Sequence, residues 1–350
     1  MAPASPTGGA PILTRLGITV PVLAAPMAGG PTTPAMAIAA SRAGSLGILA
    51  AGYKTASAID EQIKQVRAEA IPFGVNVFAP NPLPIDPAEY HRYAGQIQTD
   101  AQRFGVTLAP DPIEDTDTFD EKITLLLDDP VPLVSFTFGI PPRQTIAALQ
   151  HAGTVIVQTV TTVDEAITAR DAGVDMLAVQ AHTAGGHSGT LTPATPSPPT
   201  PIADQVAQIT HCIEVPVIAA GGLATPEAVV EVMSAGAVAT MVGTVLLRAT
   251  ESGASATHRA ALTDPSRAET VITRAFTGRP ARGLRNAFID AHEADAPLGY
   301  PAIHYLTSPL RKAAAAAGQS DYVHLWAGTG YRHATAEPTA DILHKLAGDL

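Results

Sequence analysis

Short, uninterrupted apolar runs alternate with longer amphipathic stretches through most of the chain. The runs fall at 21–27, 46–51, 73–78, 132–138, 154–160, 176–180, 215–220 and within 237–247. Each is strand-length and lacks an in-and-out polarity pattern, which predicts parallel strands buried on both faces. The intervening stretches at 57–70, 142–152, 163–172, 205–211 and 226–235 carry helical periodicity. A further helix opens at Thr33-Pro34 and ends near Gly44, with Thr33 as N-cap and Pro34 in the first turn. About eight strand–helix units in this length predict a (β/α)8 TIM barrel. An open doubly wound sheet ranks second, because no Gly-x-Gly-x-x-Gly follows the first strand.

Two regions depart from the alternation. Residues 79–130 read as an insertion after the third strand, with helices at 87–105 and 119–127. It forms either a site wall or peripheral decoration. Residues 250–350 show only helix-like patches, at 254–262, 266–273 and 309–317, and read as a mostly helical cap over the barrel mouth. The predicted division is a barrel at 1–249 and a cap at 250–350. Residues 1–11 read as a frayed tail without the features of a signal peptide. The Pro/Thr/Ser-rich stretch 190–201 reads as a linker or a mobile lid.

An apolar fraction of 46 % with 15 % charged residues suits a large packed core. The net charge of −11 argues against nucleic acid or an anionic membrane surface as partner. No apolar run is long enough to span a bilayer. Cys212 is the only cysteine, so an intramolecular disulfide or a multi-cysteine metal site is excluded. A cytoplasmic location is the expectation.

The chemistry concentrates at strand ends. Gln180-Ala-His-Thr-Ala-Gly-Gly-His-Ser-Gly-Thr190 follows the sixth run. Gly185 and Gly186 allow close backbone approach to a ligand. His187 then lies where barrels place their catalytic groups, and we expect a base that titrates near neutrality. His182 reads as structural or exposed. With no acidic residue nearby, the two histidines make a poor metal site. His187-Ser188-Gly189 is not a nucleophile elbow.

Two late strands each end in glycine. Pro216-Val-Ile-Ala-Ala-Gly-Gly222 precedes Thr225-Pro226, and Met241-Val-Gly-Thr244 repeats the device. Free backbone N–H groups at Gly221, Gly222, Val242, Gly243 and Thr244 would cradle a phosphate there. Asn76, Gln158 and Gln180 end three strands and suit a flat polar ring. Pro26 and Met27 bring the first strand's backbone to the same place. Arg279, Arg282 and Arg285 form a cluster in the cap that either faces anions or, as the preferred reading, is a solvated or salt-bridged surface. Trp326, Ala327 and Gly328 either close over the mouth or anchor the cap.

From about residue 12 to 345 the chain resembles the nitronate monooxygenase family. The resemblance rests on Ala25-Pro-Met-Ala-Gly-Gly30, Phe73-Gly-Val-Asn76, Ala184-Gly-Gly-His-Ser-Gly189, the Gly221-Gly222 run, Met241-Val-Gly-Thr244 and Trp326-Ala-Gly328. It implies an FMN cofactor contacted by Asn76, Gln180, Gly185, Gly222 and residues 241–244, with His187 as catalytic base. It also implies oxidation of a small nitronate or nitroalkane by O2 to a carbonyl compound and nitrite. Where many relatives read Gln-Gly-x-Glu, this chain has Gln180-Ala-His-Thr183, and Thr329 follows Gly328 where Gln is common. Sister activities on the same barrel are NAD(P)H:quinone and enoyl reduction. A flavin-binding protein without turnover and a flavin-free phosphosugar barrel are the readings from other classes.

Overall fold

The computed structural model describes residues 9–195 and 198–348. Its strands are β1 (Val22–Ala24), β2 (Ile48–Ala50), β3 (Gly74–Ala79), β4 (Leu133–Phe138), β5 (Val155–Val160), β6 (Met176–Gln180), β7 (Gly186–His187), β8 (Val217–Ala220), β9 (Ala239–Val242), β10 (Thr270–Thr273) and β11 (Ala281–Leu284). Eight of them form one parallel sheet in the order β1-β9-β8-β6-β5-β4-β3-β2. A parallel bridge between Ala24 and Gly47 joins the two end strands, so the sheet closes into a barrel. Gly47 is required at that seam, since a Cβ there would sit 2.3 Å from Ala37 Cα on the neighbouring helix. The closed order excludes the open doubly wound alternative.

Strand alternation sorts the core into two layers. Leu23, Ile48, Leu133, Val155, Met176 and Ile218 fill the barrel interior, which Leu16 and Ile18 join. Their neighbours Val22, Leu49, Val134, Ile156, Leu177 and Val217 face outward against the helices, on Ile59, Ile146, Ala166 and Val206. Helix starts follow local chemistry. Thr33, Thr162 and Thr225 each accept a backbone N–H from the first turn of the following helix, at 3.1 to 3.3 Å.

The tail is more varied than a helical cap. Residues 266–273, expected as a helical patch, contain β10, because Thr270-Val-Ile-Thr273 is a β-branched run. β10 pairs antiparallel with β11, and β11 with β7, so the ladder ends on the Gly186–His187 segment. Helix Ala302–Ala316 begins well before the expected 309. Helix Thr339–Ala347 packs on β1 and on helices Pro34–Arg42 and Pro226–Ser234, so it belongs to the barrel rather than the cap. The insertion also divides. Helix Phe119–Asp128 packs against β3 and the helices beside it. Tyr90, Tyr93 and Ile97 instead share a core with Phe276, Phe288 and Leu306.

At the N-terminus, helix Gly9–Arg15 replaces the end of the expected tail, and residues 1–8 lie outside the described residues. Of the 190–201 loop, residues 196 and 197 also lie outside them. The loop's start is anchored, because Glu165 Oε1 accepts from Thr190 Oγ1 at 2.6 Å and from Leu191 N at 2.7 Å.

Candidate active site

The carboxyl ends of the barrel strands, the loops that follow them and the cap enclose a cavity of about 520 Å³, and among the described residues none of the insertion 79–130 lines it. This is the size class of a cofactor or small-molecule site. Pro26, Met27, Asn76, Gln180, Gly185, Gly186, His187, Gly221, Gly222, Met241, Val242, Gly243 and Thr244 all line it, as do Trp326 and Gly328. Gln158 does not: it is fully buried, and its Nε2 donates to Gly139 O at 3.1 Å and Thr159 O at 3.0 Å. Strand alternation turns the adjacent Thr159 into the cavity instead. Ala327 is buried behind the wall, where its N–H donates to Arg282 O.

One side of the cavity is built from backbone. Gly221 and Gly222 have φ of +107° and +75°, values that exclude most side chains. The N–H groups of Gly222, Gly243 and Thr244 donate to no described residue. They therefore offer unpaired donors to an anion, in the manner of a phosphate nest. Gly185 passes so close to Gly328 that a Cβ on it would meet the Gly328 nitrogen at 2.5 Å. The glycines thus fit a phosphate cradle with a ring slot beside it. Asn76 Nδ2 is held by Ser135 Oγ at 2.9 Å and Thr137 Oγ1 at 3.0 Å, which fixes the amide at the cavity wall.

His187 occupies the opposite side. Gln180 shapes its loop from within: Nε2 donates to His187 O at 3.1 Å and Oε1 accepts Gly189 N at 2.7 Å. The imidazole is packed among Phe138, Tyr300 and Trp326, with ring centroids 5.8, 5.7 and 5.4 Å away. Its Nε2 lies 3.0 Å from Thr277 Oγ1. The expected near-neutral titration is not what this environment produces. Burial, and then the positive charges of Arg279 and Arg311, push the imidazole down to about 3, so it stays neutral through the ordinary pH range.

Arg279 corrects the surface reading of its cluster. It is fully buried, stacks at 4.1 Å over the Phe138 ring, and donates to Ser188 O at 3.3 Å and Thr190 O at 2.5 Å. Arg282 is half-buried and holds His182 O at 2.8 Å, while Arg285 is the exposed, ion-paired member, bound to Glu269 and Asp290. Arg311 is buried on helix Ala302–Ala316 and donates to Thr307 Oγ1 and His304 O. Neither Arg279 nor Arg311 has a carboxylate within ion-pair distance among the described residues. Among the described residues no Asp or Glu lines the cavity, although the chain as a whole carries −11.

Tyr53, Phe138, Tyr300, His304, Thr277 and Arg311 were not visible as site residues in the sequence. Tyr53 stacks on His304 at 4.2 Å and meets the Tyr300 hydroxyl at 3.3 Å. Tyr53 and Phe138 both hold positive φ, +64° and +82°, a strain that concentrates at functional sites. Phe138 ends β4 and Phe78 is the penultimate residue of β3, so strand ends were the one usable signal. Among the described residues no His/Cys/Asp/Glu cluster can hold a metal, and no helix is long and apolar enough to cross a membrane.

The barrel mouth, with its unpaired backbone donors and its caged histidine, is the candidate active site, and the chain's matches to known proteins make it an oxidoreductase. The family model for nitronate monooxygenase matches residues 10–349, and the chain belongs to that family. A probable nitronate monooxygenase of Staphylococcus aureus (strain Newman) is 34 % identical over 340 residues, covering 96 % of this chain and 95 % of the relative. One from Bacillus subtilis (strain 168) is 33 % identical over 329 residues, with 93 % and 94 % coverage. The structure of nitroalkane oxidase from Streptomyces ansochromogenes superposes with a TM-score of 0.91 at 44 % identity, covering 97 % of both chains. FabK from Thermotoga maritima, at 23 % identity and a TM-score of 0.74 over 96 % of this chain and 94 % of that one, shares the fold.

Proposed function

We propose that this chain oxidises alkyl nitronates, and nitroalkanes after deprotonation, to a carbonyl compound and nitrite, using FMN and O2. The carrying observation is the cavity's charge: Arg311 lines it and Arg279 lies behind Phe138, with no carboxylate in the lining among the described residues of a net-acidic protein. Such a site favours an anion, and a nitronate is one.

FMN would supply the electron transfer when bound. Gly221, Gly222, Gly243 and Thr244 would hold its phosphate, and Pro26, Met27, Asn76 and Gln180 would flank its ring. Tyr53, Phe138, Tyr300 and Trp326 exclude water from the histidine side. His187 is neutral and therefore always in its accepting form, but it is a weak base. The same guanidiniums that weaken it stabilise the negative charge that appears when the α-proton leaves a nitroalkane. A preformed nitronate needs no such step.

The test is spectroscopic. Purified protein should be yellow, should release FMN on denaturation, and should bleach anaerobically with ethyl nitronate. Bleaching by NAD(P)H and not by nitronate would make it a reductase; absence of flavin after reconstitution with FMN would end the proposal.

A further inference from the structure

We propose that Thr277 is a positioning residue that fixes His187 as the Nε2–H tautomer and leaves Nδ1 as the proton acceptor. The inference rests on the function proposed above for its catalytic part, and on hydrogen bonding alone for its structural part.

Thr277 lies on the turn between β10 and β11 and is buried. Its hydroxyl has two neighbours. Arg279 O lies at 3.2 Å and His187 Nε2 at 3.0 Å. A carbonyl oxygen only accepts, and a threonine hydroxyl has one proton. If that proton goes to Arg279 O, Nε2 must carry its own hydrogen and donate it to Thr277 Oγ1. If it goes instead to Nε2, Arg279 O, on a fully buried residue, loses its only partner among the described residues. A buried carbonyl left unpaired in this way is penalised enough to favour the first arrangement by about tenfold.

The same turn holds the loop on the far side of His187. Arg279 donates to Ser188 O and Thr190 O, and β11 pairs Ala281 with His187 itself. The backbone and the ring are thus clamped by one short segment of the cap. Nδ1 has no hydrogen bond to a described residue, and His187 lines the cavity. The proton transfer this permits is balanced: the Cα–H bond of a neutral nitroalkane breaks, an Nδ1–H bond forms, and the electron pair stays on the substrate as its nitronate. Nε2 keeps its hydrogen and its bond to Thr277 throughout.

The experiment uses holoenzyme labelled with 15N-histidine, with His187 signals assigned by their loss in His187→Asn. The expected spectrum shows a protonated Nε2 and a bare Nδ1 in the wild type. Thr277→Val should mix the tautomers. It should lower kcat/KM for nitroethane by about tenfold or more, and that for ethyl nitronate by less than about threefold. Thr277→Ser should restore both the spectrum and the nitroethane rate to within about threefold. A protonated Nδ1 in the wild type overturns the proposal. So does an equal loss on both substrates in Thr277→Val, which would mark a merely structural threonine. Should Thr277→Val not fold, the wild-type spectrum and Thr277→Ser decide alone. If neither substrate is oxidised by the wild type, the proposed function fails, while the tautomer is still read from the spectrum.

Discussion

The two sides of the cavity are built from different materials. On the barrel side, Gly221, Gly222, Gly243 and Thr244 present backbone at the ends of adjacent strands β8 and β9. On the cap side, His304, Arg311 and Trp326 present side chains from separate segments folded over the mouth, with Thr277, Arg279 and Tyr300 packed behind them against His187 and Phe138. A backbone cradle depends on φ and on the lack of Cβ, so it tolerates almost no substitution. A side-chain wall can be retuned residue by residue. Under the proposed function the contrast is a division of labour: the barrel side would hold the cofactor, and the cap side would set the charge and dryness felt by the substrate.

The largest effect should come from the barrel side of the loop. Gly185→Ala places a methyl 2.5 Å from the Gly328 nitrogen and 2.6 Å from the Ala327 carbonyl carbon, both backbone. The loop must move, and turnover should fall by about a hundredfold or more with weakened FMN retention, measured by activity and flavin content. A cap residue should be gentler on the cofactor. Arg279→Met leaves Ser188 O and Thr190 O without their donor and should destabilise the fold by about 2–4 kcal/mol in chemical denaturation. Flavin content in the folded fraction should be retained. Equal flavin loss in both variants would dissolve the division.

The smallest effect concerns pH. His258 lines the cavity, and burial pushes its imidazole down to about 4 from an ordinary 6.5. The unfolded chain takes up that proton below about 6.5 and the folded chain does not, so its contribution to stability is lost as pH falls from about 6.5 to about 4. The ceiling is about 3 kcal/mol. His258→Gln should flatten the decline of Tm over that window. A slope as steep as the wild type's would show that other groups carry it.

The same division explains what could be read from the chain. All eight barrel strands were legible, because a strand buried on both faces is an unbroken apolar run such as 132–138. The glycine cradle was legible because it follows such runs directly. Gln158 was misplaced by one position of strand alternation, which a continuous apolar run does not reveal. The cap was poorly legible. β11 contains Arg282 and Gly283, and its pairing partner β7 is ninety-odd positions earlier. Arg279 looked like surface because burying an arginine requires carbonyls and an aromatic face, which only the folded loop 188–190 and Phe138 supply. The neutral state of His187 follows first from its burial under the cap and then from those same distant cations. Helix Thr339–Ala347 was missed although its apolar face completes the barrel.

The most direct measurement is the rate of anaerobic flavin bleaching in His187→Asn, taken with nitroethane and with ethyl nitronate in parallel. A base that is needed only for the neutral substrate predicts a loss of about a hundredfold or more with nitroethane. It predicts a change of less than about threefold with the nitronate, at undiminished flavin content. Equal losses on both substrates would contradict it, and would make His187 a binding group for the nitro function rather than the acceptor of its α-proton.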